Sequence, residues 1–148
     1  AIARHLSHHR HVTVITNSLA IANELADFPN LQVVMPGGRL RRETASLVGA
    51  DGLDYIRQLN IQKGFFGAHG VTSDEGLTDV SVEEAEVKRV LVGLCRQVVA
   101  VLDATKWGRV GVASFAALDQ IDIIITDQDA PPDLVAQIQA AGVAVHLV

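Results

Sequence analysis

The 148-residue chain carries 12 Lys and Arg against 17 Asp and Glu, a formal net charge of −5, and it is 49% hydrophobic but only 4% aromatic. That length holds one domain, residues 1–148, with an aliphatic core, and is too short for two comfortable ones. The acidic balance argues against direct DNA binding, which needs Lys and Arg facing the phosphates; the densest basic run, Arg39-Leu40-Arg41-Arg42, is short. One cysteine, Cys95, excludes an internal disulfide and a cysteine zinc site, and its apolar surroundings suit a buried, inert thiol in a helix. No stretch reaches the roughly 18 uncharged apolar residues of a membrane span and no signal peptide is read, so a cytoplasmic chain without a membrane partner is expected.

In chain order, Ala1–Leu6 reads as the second half of a helix, so the chain is expected to be a piece of something longer. Val12–Thr16 follows as a strand. Asn17-Ser18 caps a helix over 18–28 with Leu19, Ala22, Leu25 and Ala26 on one face. Leu31–Met35 is the next strand, and a less regular helix is expected around 45–58. Gly64–Gly67 is a third strand. Ser81-Val-Glu-Glu84 has capping-box spacing and opens a helix over 82–97, striped by Val87, Val90, Leu91, Leu94 and Cys95. Strands at Val98–Leu102, Ile121–Thr126 and Val143–Val148 complete the chain. A last helix between them starts near Pro131-Pro132 and stops at Gly142, with Leu134, Ile138 and Ala141 facing in. Most strands are unbroken apolar runs, as in strands covered on both faces. The alternation predicts an α/β fold: a doubly wound, mostly parallel sheet with helices on both faces.

In such a sheet, ligands bind beyond the carboxyl ends of the strands. Small polar residues recur there: Thr16-Asn17-Ser18, Pro36-Gly37-Gly38, Gly67-Ala68-His69-Gly70 running into Ser73–Asp79, and Asp103–Gly108. Free backbone N–H groups at helix starts, glycines that let the backbone approach, and a lysine together suit an anion. Each loop alone is an ordinary turn; four on one edge are harder to dismiss.

The ordered set Val14-Ile-Thr-Asn-Ser-Leu-Ala-Ile-Ala22, Pro36-Gly-Gly38, Ser46-Leu-Val-Gly49, Gly64-Phe-Phe-Gly-Ala-His-Gly-Val71, Glu75-Gly-Leu-Thr78, Glu84-Ala-Glu-Val-Lys-Arg89, Asp103-Ala-Thr-Lys-Trp-Gly108 and Ile124-Ile-Thr-Asp127 resembles the C-terminal sensor domain of the DeoR family of bacterial sugar-metabolism regulators. The resemblance implies the fold of ribose-5-phosphate isomerase and glucosamine-6-phosphate deaminase and a phosphorylated sugar as effector. It implies no cofactor and no metal, and operator binding only through a winged helix-turn-helix upstream. The ligand set it implies is Asn17, Ser18, Gly37, Gly38, Gly67, Gly70, Glu75, Gly76, Thr78, Asp103 and Lys106, with Lys106 meeting the phosphate. Lys88 is either a polar site contact or, slightly favoured, a solvated helix residue. Family members also carry a strand and a Gly-Thr-Thr loop that would lie before Ala1.

His5, His8, His9 and His11 crowd the start of the chain without a carboxylate or Cys nearby, and read as a solvated or partly packed helix end rather than a zinc site. His69 with Asp74, Glu75 and Asp79 is a formal acid–base set, but it lacks the acid-Gly-His order of the deaminases, so no catalytic residue is assigned. Trp107 reads as a lid over the ligand or an interface residue. Three functions compete: a sensor domain of a transcription repressor, which is favoured; a sugar-phosphate isomerase or deaminase; and an oligomerisation domain with a relic pocket. A sensor must couple its pocket to a second site, and a symmetric homo-oligomer is the expected partner arrangement.

Overall fold

The structure, a computed structural model, describes residues 2–49 and 52–148 and divides into two compact units, Ala1–Gln58 and Leu59–Val148. In the first, a short helix α1 (Ile2–His5) precedes strand β1 (Val12–Ile15), helix α2 (Leu19–Leu25) and strand β2 (Leu31–Val34). β1 and β2 pair in parallel, Val12 with Leu31 through Ile15 with Val34, so α2 is their crossover. Ser18 caps α2, its Oγ accepting the Ile21 N–H at 3.4 Å. Of the expected apolar face only Leu25 is buried; Leu19 is exposed and Ala22 intermediate.

Residues 45–58 do not form the expected helix. β3 (Arg39–Arg41) and β4 (Ser46–Val48) make an antiparallel hairpin, and only α3 (Leu53–Ile56) is helical. Positions 50 and 51 of that expected helix, like Ala1 of the opening one, lie outside the described residues. The physical reason is local. Gly49 stands at φ +112°, outside the helical region. Upstream, Val48 and Ser46 are buried and paired with Arg39 and Arg41.

The second unit carries a parallel sheet of β5 (Ile61–Phe66), β8 (Cys95–Val101), β10 (Ile123–Thr126) and β11 (Ala144–Leu147), in spatial order β11-β10-β8-β5. Helices α4 (Val82–Leu94) and α5 (Pro132–Ala140) flank it. The expected α/β class with a parallel sheet is therefore present. A second sheet, absent from the sequence expectations, is antiparallel: β6 (Gly70–Thr72), β7 (Gly76–Asp79) and β9 (Ala113–Ala116). The core is aliphatic with few rings: Val98, Ala100, Ile124 and Ile138 pack with Phe66, Phe115 and Trp107.

The expected helix 82–97 stops at Leu94. Cys95 is the first residue of β8, opposite Ile61 of β5, because the run from Cys95 to Ala100 finds sheet partners on β5. Within α4 the buried positions are Glu84, Ala85, Val87 and Val92; of the expected stripe Val87 is buried, and Leu91 and Cys95 are partly buried against the core. In α5, Val135 and Ile138 are buried, whereas Ala141 is exposed.

Candidate functional site

Three neighbouring parallel strands of the second unit end at one edge. β5 runs into Gly67–Gly70, β8 into Asp103–Lys106, and β10 into Asp127. Each exit is held by specific bonds. Asp103 N-caps a short 3-10 turn, Ala104–Lys106, its Oδ1 accepting the Thr105 N–H at 2.9 Å and the Thr105 hydroxyl. The Thr105 hydroxyl above all, with the Thr105 N–H, Lys106 and Arg109, holds the Asp103 carboxyl below the usual range against the opposing effect of desolvation. Asp127 reaches across from β10, its Oδ2 accepting the Ala104 N–H at 2.9 Å and its Oδ1 the Asp129 N–H at 3.1 Å. Behind the turn, Trp107 is buried with its indole N–H on Thr126 Oγ1 at 3.1 Å. It is core: neither lid nor interface.

Lys106 Nζ stands 3.9 Å from Asp103 Oδ2, a loose contact between partly exposed side chains. At such distance and exposure the pair holds the ammonium only weakly, so an incoming anion can compete for it.

The Gly67–Gly70 loop is fixed at its far end by packing: a Cβ at Gly70 would lie 2.0 Å from the Arg109 carbonyl oxygen. Its middle is held by the His69 N–H on the Thr78 carbonyl at 2.9 Å. Thr78, 1% exposed, donates its hydroxyl to the Gly70 carbonyl at 3.2 Å and accepts the Gly111 N–H at 2.8 Å. Gly76 needs its φ of +66°, and a Cβ there would meet the Ala116 carbonyl at 2.1 Å. Thr78, Gly70 and Gly76 thus build the loop's support. Glu75 is exposed and accepts from Ser114 Oγ at 3.4 Å.

Lys88 is not solvated, contrary to the slightly favoured sequence reading. Its Nζ donates to the Gly67 carbonyl at 2.8 Å and pairs with buried Asp79 at 2.6 Å. Asp79 is accordingly committed to Lys88, while Asp74 and Glu75 turn to Ser73 and Ser114; the formal acid–base set does not gather as one group. Lys88 and Asp127 are the residues sequence reasoning left out of the ligand set. Both sit in quoted motifs, Glu84–Arg89 and Ile124–Asp127, but their partners lie 21 and 23 residues away.

Asn17, Ser18, Gly37 and Gly38 belong to the first unit and have structural duties there. Asn17 donates its Nδ2 to the Leu47 carbonyl at 3.2 Å, and Ser18 caps α2. Gly37 lies under Gly52, whose added Cβ would come within 2.2 Å of the Gly37 nitrogen. Gly38 stands at φ +125° with no room for a Cβ against Val48. At the amino ends of β1 and β2, His8, Arg10, His11, Pro29 and Asn30 line an open groove. Burial pushes the Cys95 thiol up to about 11, which keeps it protonated and inert. Among the described residues, no helix is long and apolar enough to cross a membrane.

Residues 1–128 match the profile of the DeoR C-terminal sensor domain. The chain is 37% identical over 147 residues to the HTH-type transcriptional regulator GolR of Listeria innocua, covering 99% of this chain and 58% of that protein. It is 31% identical over 132 residues to the glycerol-3-phosphate regulon repressor of Escherichia coli, covering 89% and 52%. Over 131 residues it is 37% identical to the HTH-type transcriptional regulator GlpR of Haloferax volcanii, covering 88% and 51%. The chain thus spans about half the length of these relatives, all of them named as regulators or repressors and none as an enzyme. On the matched profile and these identities together, the chain belongs to the DeoR C-terminal sensor domain family.

Proposed function

We propose that this domain is the effector-sensing part of a transcriptional repressor of sugar or sugar-phosphate metabolism, and that it receives a phosphorylated small metabolite at the strand ends of its second unit. The observation that carries the reading is the convergence of the β5, β8 and β10 exits, with Lys106 partly exposed and loosely held beside them. A compact ammonium beside glycine-rich backbone suits a phosphate monoester. The names of the relatives point the same way, since one represses a glycerol-3-phosphate regulon. Gly67, Gly70, Glu75, Gly76, Thr78, Asp103 and Lys106 form the proposed set in this unit. Asn17, Ser18, Gly37 and Gly38 stay in it on the family resemblance alone. Operator DNA is reached through a helix-turn-helix elsewhere in the protein, the domain works within a homo-oligomer, and the protein is cytoplasmic. The domain senses rather than turns over its ligand: Asp79, Asp103 and Asp127 are engaged in structural bonds, and Asp74 and Glu75 do not gather with them as one acid–base group.

The test is a thermal-shift panel of sugar phosphates, glycerol 3-phosphate, their unphosphorylated parents and inorganic phosphate, run on the wild-type protein and Lys106→Ala. A ligand present at about 100 times its dissociation constant adds roughly 2.7 kcal/mol, a readable rise in Tm. A phosphorylated compound that stabilises the wild type, without turnover and without effect on Lys106→Ala, is the expected result. A wild-type protein that responds to no compound counts against the sensor reading.

A further inference from the structure

The Gly67–Gly70 loop is anchored unevenly. Its far end is packed against Arg109 and its middle is bonded to Thr78, but a Cβ at Gly67 would meet nothing within 4 Å. Packing therefore leaves the near end open, and the restraint there comes from α4. The Lys88 ammonium donates to the Gly67 carbonyl at 2.8 Å, pairs with Asp79 Oδ2 at 2.6 Å, and stands 5.1 Å from the centre of the Phe115 ring. Asp79 is itself oriented, with its Oδ1 accepting the Val80 N–H at 2.7 Å.

Two physical points follow. The peptide group is planar and trans, so fixing the Gly67 carbonyl toward Lys88 also fixes the Ala68 N–H, pointing away from it. The ion pair is only partly buried, with 22% of the Lys88 side chain exposed, so desolvation and solvent screening together limit what it adds to stability. The Lys88–Asp79 pair is thus poorly explained as a stabiliser and well explained as a device that sets the direction of one peptide.

We propose that Lys88, held by Asp79, is a positioning residue for the anion-receiving loop, presenting the Ala68 amide for the ligand's phosphate without touching the ligand. This rests on the sensor reading above, and the experiment separates the two. Lys88→Met alone leaves a buried carboxylate unpaired and is expected to fold poorly. The informative variant is Asp79→Asn with Lys88→Met, which removes both charges. Lys88→Arg serves as a second variant: it keeps a charge for Asp79, but its longer planar guanidinium cannot set a donor where the compact ammonium stood, so the Gly67 carbonyl must turn to follow it.

The full chain is titrated with glycerol 3-phosphate and with each panel sugar phosphate that stabilises the wild type, and amide hydrogen exchange is followed in parallel. Each folded variant is expected to keep a Tm near that of the wild type and to bind about tenfold or more weakly. With ligand bound, faster exchange than in the wild-type complex should be confined to Ala68 and His69, a pattern that a purely structural role would spread over α4 and β7. Unchanged affinity in either folded variant overturns the inference and leaves the sensor reading standing. A wild-type protein silent to every compound removes both.

Discussion

At Thr78 one hydroxyl joins two segments far apart in the chain, donating to the Gly70 carbonyl and accepting the Gly111 N–H from a side chain only 1% exposed. Thr78→Val keeps the shape and strands that N–H, so urea unfolding should show a loss of about 1–3 kcal/mol. A variant as stable as the wild type would mean that water replaces the hydroxyl. Cys95 makes a second residue-scale case. Its folded pKa is raised to about 11 by burial, so the stability this adds is fully present below the unfolded thiol's pKa and fades as pH climbs through 11. At pH 8 the native thiolate population should be roughly a hundredfold below that of the denatured chain, and alkylation correspondingly slow. Equal alkylation rates in native and urea-treated protein would contradict this. The inert Cys95 thiol was legible in its apolar surroundings, although its place in a strand was not; the Thr78 environment was not legible at all. Thr78 was found through its motif as a ligand contact, yet its hydroxyl is already committed to a partner 33 residues away. Lys88 showed the reverse error, since a lysine on a helix looks solvated until the tertiary fold supplies Asp79, Gly67 and Phe115.

The helix α4 shows what local chemistry does make legible. Ser81 before Val-Glu-Glu84 announced its start, and Ser81 Oγ does accept the Glu84 N–H, at 3.3 Å. Ser81→Ala should therefore cost about 1 kcal/mol, read as a lower denaturation midpoint at unchanged slope. No loss would show that packing of Ala85, Val87 and Val92 alone sets where the helix begins. The strands of the parallel sheet were equally legible, because long aliphatic runs such as Val98–Leu102 have few other uses. The β3–β4 hairpin and the β6-β7-β9 sheet were not. Their strands are three or four residues long, hold glycines such as Gly70 and Gly76, and owe their form to pairing, as Thr78 with Ser114. Residues 45–58 failed for a related reason. Only an irregular helix was expected there, and the chain does otherwise: Leu47 and Val48 belong to a strand, and Gly49 at φ +112° separates them from α3.

Across the whole chain, burial is uneven between the two units. The contiguous apolar core runs from Phe66 to Val143 and lies in the second unit, whereas among the described residues of the first the deeply buried apolar ones are Leu25, Val48, Leu53 and Ile56. β1 and β2 form a two-stranded sheet whose residues are mostly half-buried, an arrangement with little stability of its own. Amides of β8 and β10 should therefore exchange hydrogen only on global unfolding, and those of β1 and β2 through smaller openings of lower free energy. Exchange measured along a urea series separates these cases: the second set should be insensitive to low denaturant while the first shows the full slope. One common free energy for all four strands would instead mean that the units unfold as a single cooperative body. The same experiment with a stabilising sugar phosphate bears on function. Binding should slow exchange at Gly67–Gly70 and Ala104–Lys106 above all, since those backbones are proposed to meet the phosphate. Protection that appeared only in β1, α2 and β2 would move the site to Asn17, Ser18, Gly37 and Gly38 and leave Lys106 as a bystander.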